Sequence, residues 1–274
     1  MNPAVYLEEL GLSARLGCGL REKSRLFAGF VLFHLANRLR LPDEADRAKV
    51  HRYRVKWAAG QREIYLRPRG GDFYVLWESF GRGIFAAEER LRRSLDLGSV
   101  RSFLDLGANI GLVSLYFSQY LAAADFVCVE PDPGNAVLLR RNLAFLGPRL
   151  RVVEAAIADR PGRITFDSSG ASYRRRLGGT AASPVVDAVT IDQVLEPRWG
   201  QGPDLVKIDI EGAERHILEA DLSWLAGTRA VLIEIHPPVT EQILRAALEP
   251  QDFVVESLGV GLNFLALRRT GRGL

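Results

Sequence analysis

The stretch Ser102-Phe103-Leu104-Asp105-Leu106-Gly107-Ala108-Asn109-Ile110-Gly111 constrains the fold of this chain more than any other. Phe103, Leu104 and Leu106 predict a buried parallel strand, and Gly107 and Gly111 predict a sharp turn with no side chain between backbone and ligand. From Leu112 to Tyr120 the pattern becomes helical. A strand, a glycine turn and a helix N-terminus together present free backbone N–H groups, which favour a polar or anionic part of a ligand. The dinucleotide fingerprint places a glycine two residues after the first, so that backbone can touch a pyrophosphate; here Asn109 holds that place. Asp105, just before the turn, would repel a pyrophosphate and receive an ammonium group. The expected ligand therefore carries a positive end.

The later segments supply further strand tips. Phe126 to Val129 predicts a second buried strand ending at Glu130-Pro131-Asp132, and Glu130 follows Gly111 by 19 residues. Neighbouring strands of an open α/β sheet end at one crevice, so Glu130 is placed to take both ribose hydroxyls. Asn135 to Leu146 predicts a helix stopped by Gly147-Pro148. Leu150 to Ala156 reads as a third strand, whose small Ala155 and Ala156 suit a flat adenine ring. Ile164-Thr165-Phe166 reads as an extra strand, and Asp167 to Pro184, with Arg174-Arg175-Arg176, as a substrate-holding or a mobile solvated loop.

Two strands then end in charge. Leu205, Val206 and Ile208 bury one, leaving Lys207, Asp209 and Glu211 at its carboxyl end; Val231 to Ile235 repeats the pattern with Glu234 and His236. Charges there are costly unless paired or used, so a structural salt-bridge network is the alternative to a site. Phe253 to Leu258 and Asn263 to Leu267, joined through Gly259-Val260-Gly261, predict a hairpin with an antiparallel strand at the sheet edge.

Before the organising stretch the chain reads differently. Leu26 to Ala36 is the most apolar segment and is too short to span a bilayer. It predicts a helix docked on the body or on a second copy, with a membrane-surface position disfavoured. Leu41-Pro42-Asp43 ends it. Tyr53 to Trp57 and Glu63 to Arg67 alternate apolar and charged residues, as a strand pair does. A Gly70-Gly71-Asp72 turn and the run Phe73 to Trp77 follow, then an amphipathic helix over Ile84 to Leu97. These signals divide the chain into an appendage, residues 1–97, and a main domain, residues 98–274.

With 274 residues and 47% hydrophobic content, the chain is large enough for that arrangement, and disordered and fibrous classes are excluded. Residues 1–100 carry 18 Lys and Arg against 12 Asp and Glu, and the remainder 18 against 21. No basic run is interleaved with aromatics, which disfavours nucleic acid as a partner. Cys18 and Cys128 have no metal-ligand spacing, implying a reduced, cytoplasmic setting without zinc. Met1 to Leu10 carries acids and no apolar core, unlike a signal peptide.

Four segments in order, Leu104-Asp105-Leu106-Gly107-Ala108-Asn109-Ile110-Gly111, Val129-Glu130-Pro131, Val206-Lys207-Ile208-Asp209-Ile210-Glu211-Gly212-Ala213-Glu214 and Ile233-Glu234-Ile235-His236, resemble the FkbM family of S-adenosylmethionine-dependent methyltransferases. Ile64-Tyr65-Leu66-Arg67-Pro68 and Asp72 also match, so the resemblance covers residues 62–268. It implies a Rossmann-like class I methyltransferase: an α/β fold with a mostly parallel seven-stranded sheet, a C-terminal antiparallel hairpin and a helical and β N-terminal appendage. It implies S-adenosyl-L-methionine held by Asp105, Gly107, Ala108, Asn109 and Gly111, with Glu130 and Pro131 at the ribose, Ala155 and Ala156 at the adenine, and Asp209 alongside. The usual chemistry of the family is O-methylation of a sugar, glycoconjugate or polyketide-type hydroxyl.

An alcohol is a weak nucleophile, and a positioned base removes its proton as the bond forms. His236 is the first candidate, with Asp209 or Glu211 second, Glu234 as a residue that orients His236, and Lys207 in the same cluster. Mg²⁺ held by Asp209, Glu211 and His236 is the disfavoured alternative. An NAD-dependent oxidoreductase would need the glycine that Asn109 replaces, and a non-catalytic nucleotide-binding scaffold would not need acids on both crevice walls. The expected partners are a small-molecule or glycoconjugate acceptor and, through Leu26 to Ala36, a second copy of the chain.

Overall fold

The computed structural model describes residues 3–39, 49–58, 60–68, 71–167, 176–177, 184–259 and 261–269. Leu41-Pro42-Asp43, Gly70, Val260 and most of the Asp167 to Pro184 loop, including Arg174 and Arg175, lie outside these residues.

Two helices open the chain, α1 (Pro3–Leu16) and α2 (Gly19–Arg38). The α2 segment docks on the body as expected, burying Leu26, Gly29, Phe30, Phe33 and Ala36. At Gly29 an added Cβ would lie 1.9 Å from the Phe73 ring, so the missing side chain sets how closely the helix can approach. Among the described residues no helix is long and apolar enough to cross a membrane. The hairpin β1 (His51–Trp57) and β2 (Gly60–Leu66) follows, with Tyr53, Val55, Ile64 and Leu66 on its buried face.

The Phe73 to Trp77 run forms a helix, α3 (Asp72–Trp77), continued by a π-helical turn, Glu78–Arg82, and α4 (Gly83–Ser94). Five apolar residues in a row carry no period, so tertiary burial of Phe73, Val75 and Leu76 decides their conformation.

The organising stretch is strand β3 (Ser102–Leu106), followed by α5 (Leu112–Phe117), β4 (Asp125–Val129) and α6 (Pro133–Asn142). Asp132 accepts a hydrogen bond from the Asn135 backbone N–H and Pro133 fills the first helical position, so α6 starts two residues before its expected start. The run expected as one third strand divides into β5 (Leu150–Val153) and β6 (Ala156–Ile157). The chain leaves the main sheet at Glu154, whose exposed carboxylate pairs with Arg140 at 2.8 Å. Strand β6 joins β7 (Gly162–Asp167), β8 (Arg176–Leu177) and β9 (Val185–Val189) in a separate sheet ordered β6-β9-β7-β8.

After α7 (Ile191–Val194) come β10 (Leu205–Ile208), α8 (Glu214–Leu218), β11 (Ala230–Glu234), α9 (Glu241–Leu248), β12 (Phe253–Ser257) and β13 (Asn263–Arg268). The main sheet has seven strands in the order β12-β13-β11-β10-β3-β4-β5. Strands β3, β4, β5, β10 and β11 are parallel, and β13 runs antiparallel to both of its neighbours. The fold is thus the expected α/β class with its C-terminal hairpin, with one correction. The antiparallel strand is not at the edge: β13 buries Phe264, Leu265 and Ala266 between β11 and β12, while β12 ends in exposed Glu256 and Ser257.

Alternating side chains feed two cores. Phe103, Phe126, Leu205 and Leu232 face the first, which also takes in Leu12, Phe30, Tyr53, Phe73 and Leu91 from the N-terminal part. Leu104, Leu106, Val127, Val206 and Ile233 face the second, covered by Ile217, Leu244 and neighbours. Full burial of a side chain such as Phe103 contributes about 1.5–3 kcal/mol. The first core crosses Leu97-Gly98, so described residues of the N-terminal part share one face of the sheet with Leu115 and Phe117 of α5 and Leu138 and Leu139 of α6. The carboxyl ends of β3, β4, β10 and β11 open on one crevice, as parallel sheets require.

Candidate active site

One wall of the crevice is the turn after β3 together with the tip of β4. Gly107 and Gly111 adopt left-handed φ of 77° and 81°. Their missing side chains make room for neighbouring parts of the protein. A Cβ at Gly107 would lie 1.8 Å from the Asp209 carbonyl oxygen, and one at Gly111 would lie 3.2 Å from Leu139 and Leu143. The N–H groups of Gly107 and Ala108 donate to the Val129 carbonyl. Asn109 also has a left-handed φ, 51°, a conformation costly for a residue other than glycine. Its side-chain oxygen is buried and has no hydrogen-bond partner among the described residues.

Glu130 joins the two loops of this wall. Its Oε2 accepts from the Asn109 backbone N–H at 2.8 Å, and its Oε1 from the Asp132 N–H at 2.9 Å and Asn135 Nδ2 at 3.3 Å. Burial pushes the Glu130 carboxyl up to about 7, while those hydrogen bonds restrain the rise. Pro131 leads into the α6 cap. Ala155, just past β5, and Ala156, in β6, are both buried.

Asp105 does not face the crevice. Strand alternation turns it into the first core, where it is fully buried, accepts from Ser114 Oγ at 2.6 Å and lies 3.4 Å from Lys207 Nζ. The ammonium it receives is that of Lys207, and this corrects its reading as a ligand contact. Lys207 also donates to the Gly107 carbonyl at 2.7 Å and pairs with Asp209 at 3.4 Å. Burial disfavours the Lys207 charge, but Asp209 and Asp105 outweigh that and hold its pKa above the ordinary value. Lys207 thus ties the two walls together through Asp105, the Gly107 carbonyl and Asp209.

The opposite wall is built from the tips of β10 and β11. After Asp209 the chain turns through Glu211, with a left-handed φ of 52°, and Gly212, at 100°. The turn wraps the Glu214 carboxylate, which accepts from the N–H groups of Ile210 and Gly212. The same carboxylate lies 3.0 Å from His236 Nδ1. His236 Nε2 therefore points at the remaining acids, 3.6 Å from Glu211 and 3.9 Å from Glu234. Burial alone would lower the His236 pKa; the Glu214 hydrogen bond and the Asp209, Glu214 and Glu211 charges override it and lift it to about 9. Burial acts to raise Glu214, but its bonds to His236 and Gly212 hold it below the ordinary carboxylate range. Glu234 is raised by burial and then by the Asp209 charge.

Two residues here had no assigned role in the sequence reading. Glu214 is fully buried at the N-terminus of α8, and its signal is an acid three residues beyond Glu211 at the end of the Val206 to Glu214 segment. Glu78 comes from the π-helical turn of the N-terminal part. Burial first, and then the charges of Glu234, Asp209 and Glu211, push it up to about 8. No local pattern announces it, because only the packing of residues 3–97 over the sheet brings it to this wall. π-Helical turns often mark functional positions.

The structure thus brings Asp209, Glu211, Glu234 and His236 together as expected, adds Glu78 and Glu214, and places Asp105 and Lys207 behind them. Asp209, Glu211 and His236 can each bring one ligand atom within 4.8 Å of the others, a spacing compatible with a divalent cation. On the first wall the chemistry is accepting: the buried Asn109 oxygen, unpaired among the described residues, and the buried Glu130 carboxylate. Such a set fits a ligand that donates hydrogen bonds, as the ammonium and ribose hydroxyls of adenosylmethionine do.

A family model described as the methyltransferase FkbM domain matches residues 105–255, more than half of the chain. The 2-O-methyltransferase NoeI of Sinorhizobium fredii is 30% identical over 150 residues, covering 48% of this chain and 61% of that protein. The hexuronic acid methyltransferase AglP of Haloferax volcanii is 26% identical over 136 residues, covering 49% of this chain and 56% of that one. Among solved structures, the N-terminal domain of human METTL16 in complex with SAH aligns with 96% of this chain and 92% of its own at 12% identity and a TM-score of 0.42. Because the matched domain starts at Asp105 in β3 and runs to Val255 in β12, taking in the tips of β3, β4, β10 and β11, the chain belongs to the FkbM methyltransferase family.

Proposed function

We propose that the chain is an adenosylmethionine-dependent O-methyltransferase whose acceptor is a hydroxyl of a sugar or glycoconjugate. One observation carries this reading. The ligand-accepting turn and the acid-rich wall meet where Gly107 touches Asp209, so Glu78, Asp209, Glu211, Glu234 and His236 crowd the next strand tips. A wall so rich in acids favours a cation and repels a pyrophosphate, which disfavours NAD. When bound, adenosylmethionine supplies a methyl group made electrophilic by its sulfonium. Glu130 and Asn109 would hold the ribose and the amino-acid end. The acids of β10 and β11 would stabilise the positive charge, and would orient the acceptor by hydrogen bonding its hydroxyls.

His236 is the proton acceptor in this reading. Glu214 holds Nδ1, so Nε2 is the nitrogen that meets the acceptor hydroxyl. With its pKa near 9 in the free protein, His236 carries a proton at neutral pH. The active neutral form therefore grows as pH rises toward 9, and a cation bound close by adds to the drive for proton loss. Residues 98–274 carry the catalytic sheet in this scheme, and residues 1–97 close one side of it and contribute Glu78.

O-methylation follows the likeness to the 2-O-methyltransferase NoeI and the carbohydrate class the likeness to the hexuronic acid methyltransferase AglP, and the matches span only 61% and 56% of those proteins. The test is methyl transfer from labelled adenosylmethionine to glycosyl and polyketide acceptors, with and without EDTA. Transfer to a glycosyl acceptor that survives EDTA is expected. Thermal-shift scans with adenosylmethionine, adenosylhomocysteine and NAD accompany it; stabilisation by NAD alone would sink the reading.

A further inference from the structure

We propose that Arg67, which lies outside the matched family domain, is a positioning residue that acts through Asn135 to hold Glu130 in its ligand-accepting orientation. The inference rests on the adenosylmethionine reading above and adds to it the residue that directly follows the N-terminal hairpin.

Arg67 directly follows β2 and is only 3% exposed. Its Nε and Nη2 clasp Asp72, which is fully buried, with contacts of 3.0 and 2.7 Å, and the Arg67 backbone N–H donates to the same carboxylate at 2.7 Å. A structural ion pair would be complete at that point. Here Nη2 also donates to Asn135 Oδ1 at 2.7 Å. A guanidinium has no acceptor, so the Asn135 amide must turn its oxygen to Arg67 and its NH₂ group away. Asn135 Nδ2 consequently meets Glu130 Oε1 at 3.3 Å. The Asn135 backbone N–H is meanwhile fixed on Asp132, so the amide cannot withdraw by unwinding the first turn of α6.

The consequence falls on Glu130. Its other supports are two backbone N–H groups, of Asn109 and Asp132, and the Asp132 carboxylate opposes its charge. The Asn135 amide is its one side-chain donor among the described residues, and Arg67 decides which way that amide points. Arginine keeps its charge at any accessible pH, so the orientation does not drift with conditions. The hairpin thereby reaches the nucleoside side of the crevice through two consecutive hydrogen bonds, independently of Glu78 on the other side.

Isothermal titration of adenosylhomocysteine into the full chain, from pH 6 to 9, tests this. Asn135→Ala leaves the Arg67–Asp72 clasp in place and removes only the relay. It is expected to weaken binding about 10-fold at pH 7, as loss of a hydrogen bond to a charged group does. It should also move the pH at which affinity is half lost upward from about 7, because Glu130 loses a donor that favours its ionised form. Arg67→Lys, which keeps a donor for Asn135, is expected to lose less affinity than Arg67→Met when both retain the native circular dichroism spectrum. Wild-type affinity and an unmoved midpoint in Asn135→Ala would overturn the relay and leave Arg67 a structural clasp. Tight binding by the wild type together with that result would leave the adenosylmethionine reading standing, whereas no binding by the wild type would overturn both.

Discussion

The two walls of the crevice treat their charges in opposite ways. On the Gly107 side Glu130 accepts three hydrogen bonds at 2.8–3.3 Å, and Asp105 is sealed by Ser114 and Lys207. On the Asp209 side Asp209 pairs with Lys207 and Glu214 is held by backbone N–H groups, but His236 Nε2 faces Glu211 and Glu234 no closer than 3.6 Å. The first wall is set before any ligand arrives, as suits a ligand that is the same in every turnover. The second keeps its proton inventory adjustable, with Glu78 near 8 and His236 near 9. Preorganisation and titratability are divided between adjacent strand tips, and each can be broken without the other.

The largest expected break is His236→Gln. Loss of a positioned base lowers turnover by roughly 10²–10³-fold, while adenosylhomocysteine affinity stays within about threefold because Glu130 and Asn109 are untouched. Asp209→Asn is expected to act in the same direction. Unchanged turnover in both variants would reject the base assignment. The converse break is Glu130→Gln, for which adenosylhomocysteine binding should fall by roughly 10- to 100-fold with the acceptor KM little changed.

How legible these walls were in the sequence differs as well. The strands were legible because burial leaves a simple mark: Phe103-Leu104 before an acid and glycine, and Leu205-Val206 before Lys207 and Asp209, are runs that only a covered parallel sheet accepts. The acids at the tips were legible because charge ends such runs. The direction each acid faces was not. Asp105 and Lys207 sit on the core side of their strands by register with one another, and register belongs to the pairing and not to one segment. Glu78 was hidden for a related reason, since it reaches the site over a contact between α2 and Phe73 that no local pattern encodes. Glu214 stood in plain view within the motif, but its role depends on a turn that closes around it.

A smaller effect separates the walls by pH. His236, raised from its ordinary value, stabilises the folded state fully below about pH 6.5, and that contribution is lost as pH rises through about 9. The melting-temperature gap between wild type and His236→Gln should therefore be widest in mild acid and close by pH 9 to 10. Glu78 has the same sign: raised toward 8, its ionisation costs the folded state progressively above about pH 4.5. Glu78→Gln should consequently melt higher than wild type at pH 9 and equal to it at pH 4.5, while kcat/KM for the acceptor falls several-fold. A Glu78→Gln protein with wild-type kcat/KM would remove Glu78 from the acceptor side and leave the second wall to β10 and β11 alone.

The smallest perturbation tests whether the walls are coupled through the N-terminal part. Gly29→Ala gains roughly 1 kcal/mol of helix propensity but must place a Cβ 1.9 Å from the Phe73 ring. That ring is fully buried, edge-on to Phe30 at 5.1 Å and to Tyr53 at 5.7 Å, so it has nowhere to retreat. Overpacking of this kind costs about 1–3 kcal/mol, and the net result is a modest loss of stability, read as a lower melting temperature. Phe73 follows Asp72, which clasps Arg67, and precedes Glu78 by five residues on the same helical segment. A shift of that segment reaches the nucleoside side through Arg67 and the acceptor side through Glu78. If α3 moves as a rigid unit, adenosylhomocysteine affinity and acceptor KM weaken together. If the π-helical turn after Trp77 absorbs the displacement, affinity weakens and KM holds, and the two walls are mechanically as well as chemically separate. The second outcome is expected, because a π-helical turn is a local irregularity able to take up a small shift without unravelling its neighbours.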